Sequence, residues 1–182
     1  MTSMTQSAQP QNPAQSKTDT MEGLPTLYLQ VLRELYNGEN QIVQALTVLA
    51  ASATSPELQQ AFVMHQKQSQ TQSQRLEQIF QSLGENPNGM ISKGIYALLG
   101  EGQMLIKMKS PGALLDAGLI SAAQHVEHYE ISAYGTARTW ANLLGRKQDV
   151  QLLEQSLEEE KETDQKLTQL AENVINQKAA AT

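Results

Sequence analysis

The chain of 182 residues has no cysteine, three histidines and two phenylalanines. Without cysteine there are no disulfides, thiolate zinc sites, iron–sulfur clusters or cysteine nucleophile. With three histidines a His-rich metal site is unsupported, so any bound metal must lean on carboxylates. Aromatics are 4% of the chain while apolar residues as a whole are 40%. A core poor in aromatics but supplied with Leu, Ala, Ile, Val and Met points to helices. Apolar runs never reach the roughly 18 residues of a membrane span. The first residues lack a basic start followed by an apolar stretch, so no secretory signal is read and a cytoplasmic location is expected. Basic residues are outnumbered 13 to 19, giving a net charge of −6. That sign argues against a surface built for nucleic acid or anionic lipid. There is no phosphate-binding glycine loop, no GxSxG, no HExxH and no EF-hand loop.

What is abundant is glutamine: 24 residues, nine of them between Gln59 and Gln81. Glutamine favours helix without adding charge, which fits a helical surface with only 18% charged residues. Residues 1–22 hold Gln, Ser, Thr and Pro with little apolar content and read as a disordered tail; 177–182 reads the same way. The folded part is therefore expected over 23–176.

Four long helices are predicted. The first runs from Pro25 to Ser52 with the stripe Tyr28, Leu32, Leu35, Glu39, Ile42, Leu46, Leu49. Ser55-Pro56-Glu57 starts the second, which Gly84 ends. Its stripe is Leu58, Phe62, His65, Ser69, Gln72, Leu76, Ile79, Leu83, apolar at both ends and polar in the middle. Residues 84–111 are too long for a simple turn and read as a crossover with its own shorter helix. Ser110-Pro111 starts the third long helix, with the stripe Leu119, Ala123, Val126, Glu130, Ala133, Ala137, Trp140, Leu144. The fourth spans about 148–176, with Leu153, Leu157, Glu160, Asp164, Leu167, Leu170 and Val174. The fold class is all-α, a four-helix bundle with a crossover carrying an extra helix between the second and third long helices.

Acids on these stripes are the informative feature. An unpaired carboxylate in a bundle interior costs roughly several kcal/mol. Glu39, Glu130, Glu160 and Asp164 nevertheless hold seam positions, and Glu127 borders one. Apolar turns precede and follow each, so the acids fall at one middle layer. Carboxylates so close repel unless protons or a cation neutralise them, and a pair of divalent metals is the usual solution inside a bundle. Taken singly, a seam Glu is more often a register device or an outward-turned residue. His65 is either a ligand or a satisfied core histidine. His125 reads as surface, while His128 is either surface or a partner to the acids. Tyr134 either bonds the acids or fills the core, and Trp140 reads as core.

The segment 123–136 (AQHVEHYEISAYGT) resembles the third helix of the YciE/YciF bacterial stress-response proteins. Leu157 to Asp164 with Lys166-Leu167-Thr168 is similar to their fourth. Leu35-Tyr36 with Glu39-Asn40-Gln41, and Ala61-Phe62 with His65 and Gln72, match the first two. The resemblance covers about 26–176. It implies a ferritin-like, rubrerythrin-like fold and a carboxylate-bridged site for two iron or manganese ions. Glu39, Glu127, Glu130 and Glu160 would be ligands, with Asp164 nearby. It also implies a ferroxidase-type activity toward dioxygen or peroxide, and a homodimer. The chain departs from the pattern in the second helix: Gln68 stands where relatives carry a carboxylate, and Gln70 where a histidine is wanted. A Gln carbonyl at 68 is a weak, uncharged ligand, which leaves the second metal position short of an anion. The alternative is a non-catalytic helical bundle that keeps the fold with a degraded site.

Overall fold

The computed structural model describes residues 23–108 and 112–181. The expected N-terminal tail and the Ser110-Pro111 helix start lie outside the described residues. The elements are α1 (Leu24–Ser52), α2 (Pro56–Leu83), α3 (Lys93–Lys107), α4 (Gly112–Leu143), α5 (Lys147–Leu170), a π-helical stretch Ala171–Ile175, and α6 (Asn176–Ala180). No strand occurs among the described residues. The fold is the all-α bundle with a helical crossover that the sequence predicts.

Local chemistry sets the helix ends. Ser55 Oγ accepts the Leu58 N–H at 3.4 Å, and Pro56 needs no donor at the first turn. A cap of this type contributes about 1 kcal/mol. Gly84, at φ +66°, closes α2. α1 pairs with α2 and α4 with α5, and the two hairpins meet through α1–α4 and α2–α5 contacts.

Each end of the bundle is tied by a buried aspartate. Asp116 near the start of α4 accepts the Thr54 N–H at 2.7 Å, the Thr54 hydroxyl at 2.6 Å and the Ser55 N–H at 2.8 Å. Asp149 at the opposite end accepts the Tyr28 hydroxyl at 2.9 Å and pairs with Arg146. The sequence pattern marks neither as a buried anchor, because a lone Asp near a helix start reads as an exposed first-turn acid.

The apolar core is two blocks. One is built around Ile42, Leu46, Phe62, Leu119, Val126 and Leu167. The other is built around Tyr28, Leu32, Leu76, Ile79, Tyr134 and Leu153. Between them lies the polar middle of the stripes.

Three details differ from the sequence reading. In α4 the buried path runs Glu130, Tyr134, Ala137, Ala141 rather than through Ala133 and Trp140. A long helix turns 3.6 residues per turn, so its buried face drifts off a strict 3.5-residue seam. In α5, Thr163 rather than Asp164 is the buried member of the pair. Beyond Leu167 the buried residues are Ala171 and Ile175, not Leu170 and Val174, and the helical path continues to Ala180. The π-helical stretch there widens one turn and rotates the face that follows.

α3 lies against α1 and α4, and glycines let it come close. A methyl at Gly94 would stand 2.6 Å from the Tyr129 ring, whereas one at Gly100 meets nothing within 4 Å. Gly94→Ala is therefore expected to destabilise by about 1–3 kcal/mol through overpacking. Gly100→Ala, on an open helix face, is expected to stabilise by about 0.5–1 kcal/mol. Thermal melts of the two variants check the pair, and equal effects would contradict the close α3 packing.

Candidate metal centre

The middle layer draws side chains from all four long helices. α1 supplies Glu39, α2 supplies His65, Ser69 and Gln72, α4 supplies Glu127, Glu130 and Tyr134, and α5 supplies Glu160. Glu127 and Glu130 are one turn apart and share a face; His65, Ser69 and Gln72 do so on α2. Glu39 and Glu160 are 0% exposed, Glu127 and Glu130 1%, and His65 4%.

His65, Glu127, Glu130 and Glu160 each offer a ligand atom, and these atoms all lie within 4.8 Å of one another. Glu39 stands outside that tight group and accepts a hydrogen bond from the Tyr134 hydroxyl. Gln72 Nε2 donates to Glu160 Oε1, and also to Glu159 Oε2 at 3.1 Å. Arg75 grips Glu159 through two bonds of 2.6 and 2.7 Å. An arginine fork on the outer side of α5 thus orients the amide that orients Glu160.

The bonding is incomplete in a particular way. Glu39 Oε2, both oxygens of Glu127, Oε2 of Glu130 and of Glu160, and both His65 nitrogens are buried without a hydrogen-bond partner. His65 Nε2 is 3.1 Å from Glu127 Oε1, yet the two do not meet in hydrogen-bonding geometry. Asp116 and Asp149, equally buried, have no buried oxygen without a partner. Unsatisfied buried polar groups cost roughly 1–3 kcal/mol each and are normally avoided. Here they converge.

Burial, first of all, pushes these carboxyls above the usual range. Glu39 and Glu127 rise to about 8, and Glu130 and Glu160 are raised well above their ordinary value. Repulsion adds to desolvation: Glu160 acts on Glu39, and Glu39, Glu160 and Glu127 act on Glu130. The Tyr134 hydrogen bond partly offsets this for Glu39. Four carboxylates and one imidazole form a hard, oxygen-rich donor set suited to iron or manganese. Their ionised charge equals that of two divalent cations. The residues present fit such ions.

Of the residues expected at the site, Glu39, His65, Glu127, Glu130 and Glu160 share this layer, and Asp164 and Gln68 do not line it. Asp164 is half-buried at the α4–α5 edge, where Oδ1 accepts from Gln124 Nε2 at 2.9 Å and lies 3.3 Å from exposed His128. Residues 163 and 164 flank the seam on opposite sides, and α2 covers only the Thr163 side. Gln68 is half-buried with its Oε1 3.4 Å from the Thr163 hydroxyl. Gln70 is exposed. His125 is a surface residue paired with Glu101 at 2.8 Å. Trp140 is half-buried. The structure adds two contributors whose roles the stripes leave open: Tyr134, which holds Glu39, and Gln72, which holds Glu160. Ser69, on the seam and 0% exposed, completes the α2 face.

A domain of unknown function, DUF892, matches residues 12–180. The chain belongs to the DUF892 family. It is 38% identical to protein YciF of Escherichia coli K12 over 160 residues, 87% of this chain and 96% of that protein. The crystal structure of the E. coli stress protein YciF matches with a TM-score of 0.83 at 37% identity, covering 86% of this chain and 99% of that one. YcfI of Rhodopseudomonas palustris matches with a TM-score of 0.80 at 36% identity, over 83% of this chain and 96% of that one. A Xanthomonas campestris protein, at 18% identity and a TM-score of 0.66, shares the fold. The resemblance read from helices three and four is thus a family membership that spans the bundle. No helix of this DUF892 protein, among the described residues, is long and apolar enough to cross a membrane.

The raised carboxyls set a pH dependence. Each holds a proton in the native state that the unfolded chain releases near 4.5, so between there and about 8 the folded protein binds more protons. Stability from these groups therefore falls as pH rises through that window. The metal-free protein is expected to melt progressively lower from about pH 5 to about pH 8, with saturating Mn(II) restoring it at the alkaline end, because ions take the place of protons. Calorimetry in chelator and in Mn(II) measures both. A metal-free melt that rises across the window would contradict the assignment.

Proposed function

We propose that this DUF892 protein is a ferritin-like, carboxylate-bridged di-metal protein of the bacterial stress response. It holds two iron or manganese ions and acts in the cytoplasm as a ferroxidase-type oxidase. One observation carries the reading: seven ligand-type atoms of five residues are buried without partners in a single layer, while buried acids elsewhere in the bundle are satisfied. His65, Glu127, Glu130 and Glu160 would hold one ion, and Glu39 would supply a carboxylate for the second. Bound Fe(II) would give up one electron per ion to dioxygen or peroxide, which is reduced as the iron becomes ferric.

The chain's own contribution is electrostatic and steric. Four carboxylates favour the more highly charged ferric product. Two apolar blocks keep bulk water from the layer. Tyr134 pins Glu39 and the Arg75–Glu159–Gln72 chain pins Glu160, so the anionic groups need little reorganisation on binding.

A second reading rests on α2. Its inner face presents His65, Ser69 and Gln72 but no carboxylate, so a bundle that keeps protonated acids and works through protein contacts is the alternative. The homodimer belongs to both readings and is checked by sedimentation of the full chain.

The readings separate on metal content and on one substitution. Anaerobic reconstitution with Fe(II) is expected to load two ions per chain, raise the melting temperature, and give oxygen-dependent Fe(III) formation. Unchanged melting with iron, manganese or chelator, and negligible bound metal, would leave the structural reading. Glu130→Gln removes a buried carboxyl that must take up a proton to stay folded at about pH 8. It is expected to stabilise the metal-free protein at about pH 8 by on the order of 1–3 kcal/mol while cutting metal content. Destabilisation of the metal-free protein would show that Glu130 serves the fold instead.

A further inference from the structure

The middle layer is closed along the bundle axis by the two apolar blocks, so an ion must pass between helices. Three of the four lateral seams are latched or covered. Between α1 and α2, Gln66 Nε2 bonds the Val43 carbonyl at 2.9 Å and the Thr47 hydroxyl at 2.6 Å. Between α4 and α5, Gln124 Nε2 bonds Asp164 at 2.9 Å and Thr168 at 2.8 Å. The α1–α4 side is covered by α3, whose Ile95 is buried in the core beside Gly38.

The α2–α5 seam is different. Its lower part is held by Arg75 and Glu159. Above them lies a cleft of about 440 Å³ that reaches His65. Buried Phe62, His65, Thr163 and Leu167 line it, with half-buried Gln68 on its wall. Among the described residues one hydrogen bond spans it here, from the Thr163 hydroxyl to Gln68 Oε1 at 3.4 Å. That hydroxyl has a single proton, and the Glu159 carbonyl, at 3.0 Å on its own helix, competes for it. The contact across the seam is the weaker of the two. Glu57 and Lys166 stand at the mouth with opposite charge, so the mouth itself sets no net barrier to a cation.

We propose that the α2–α5 cleft beside His65 is the route by which divalent cations reach the buried carboxylates, with Gln68 leaning on Thr163 as its gate. This rests on the metal reading of the cluster and assigns Gln68 a role other than ligand. A glutamine amide swings aside without leaving a charge behind, whereas a carboxylate there would trap the ion in transit.

The absence of cysteine makes a clean test, because one introduced thiol is the only one to label. Gln68→Cys and, as a control, Gln44→Cys on the exposed face of α1 are loaded with Mn(II) before and after modification by a bulky disulfide-forming reagent. Uptake is followed by loss of the free Mn(II) electron paramagnetic resonance signal. Modified Gln68→Cys is expected to load at least about tenfold more slowly, as for a blocked gate, to reach the same final content, and to recover its rate on reduction. Modified Gln44→Cys is expected to load like wild type. An unchanged rate in modified Gln68→Cys overturns the route. A lower final Mn(II) content in unmodified Gln68→Cys makes Gln68 a ligand and also overturns it. If wild type itself takes up no Mn(II), the metal reading fails first, and the wild-type trace alone shows this.

Discussion

Four glutamates held out of water in one layer are the constraint around which this bundle is arranged. Desolvating a carboxylate is expensive, and bringing four together adds repulsion. The fold can keep them there only because the rest of the structure is over-determined. Two apolar blocks lie above and below. Asp116 and Asp149, both hydrogen-bonded across the bundle, tie the ends of the helices. α3 seals the α1–α4 side, with Gly94 so near the Tyr129 ring that a β-carbon would not fit. The layer is thus strained electrostatically inside a frame that is not strained in packing.

That separation has chemical meaning. Groups that hold the frame are satisfied, and groups that face the layer are left with free lone pairs. Protons or cations must complete the layer, and the donor set is hard enough to prefer oxygen-loving ions. Around it, neutral donors do the positioning: a phenol on Glu39 and an amide on Glu160, with the charged Arg75–Glu159 pair kept outside. A positive side chain within the layer would have neutralised the acids permanently and closed the site to a metal. None of the residues forming it here is a lysine or arginine. The asymmetry lies on α2, which offers one imidazole, a hydroxyl and an amide where the other three helices offer carboxylates.

Much of this is legible in the order of residues along each helix. Glu39 sits between Leu35 and Ile42, and a 3.6-residue repeat leaves it no other face to occupy. Glu160 and Glu130 follow by the same reasoning, and so does the polar middle of α2. The pair Thr163 and Asp164 shows the limit. Both flank the seam, and no local rule separates them, because α2 covers one side and leaves the other at an open edge. Trp140 and Ala141 differ for a related reason: slow drift of the helix face accumulates over the length of α4. Nothing local in the crossover marks Gly94, which the close approach of the Tyr129 ring requires.

Sequence alone therefore determined the helices, their order and the depth at which acids cluster, since periodicity, caps and breaks act within a few residues. Tertiary structure alone decided which carboxylates face one another, which oxygens lack partners, and that Gln68 stands in a cleft wall. Those properties depend on distances between chain segments far apart in sequence, which a single helix does not encode.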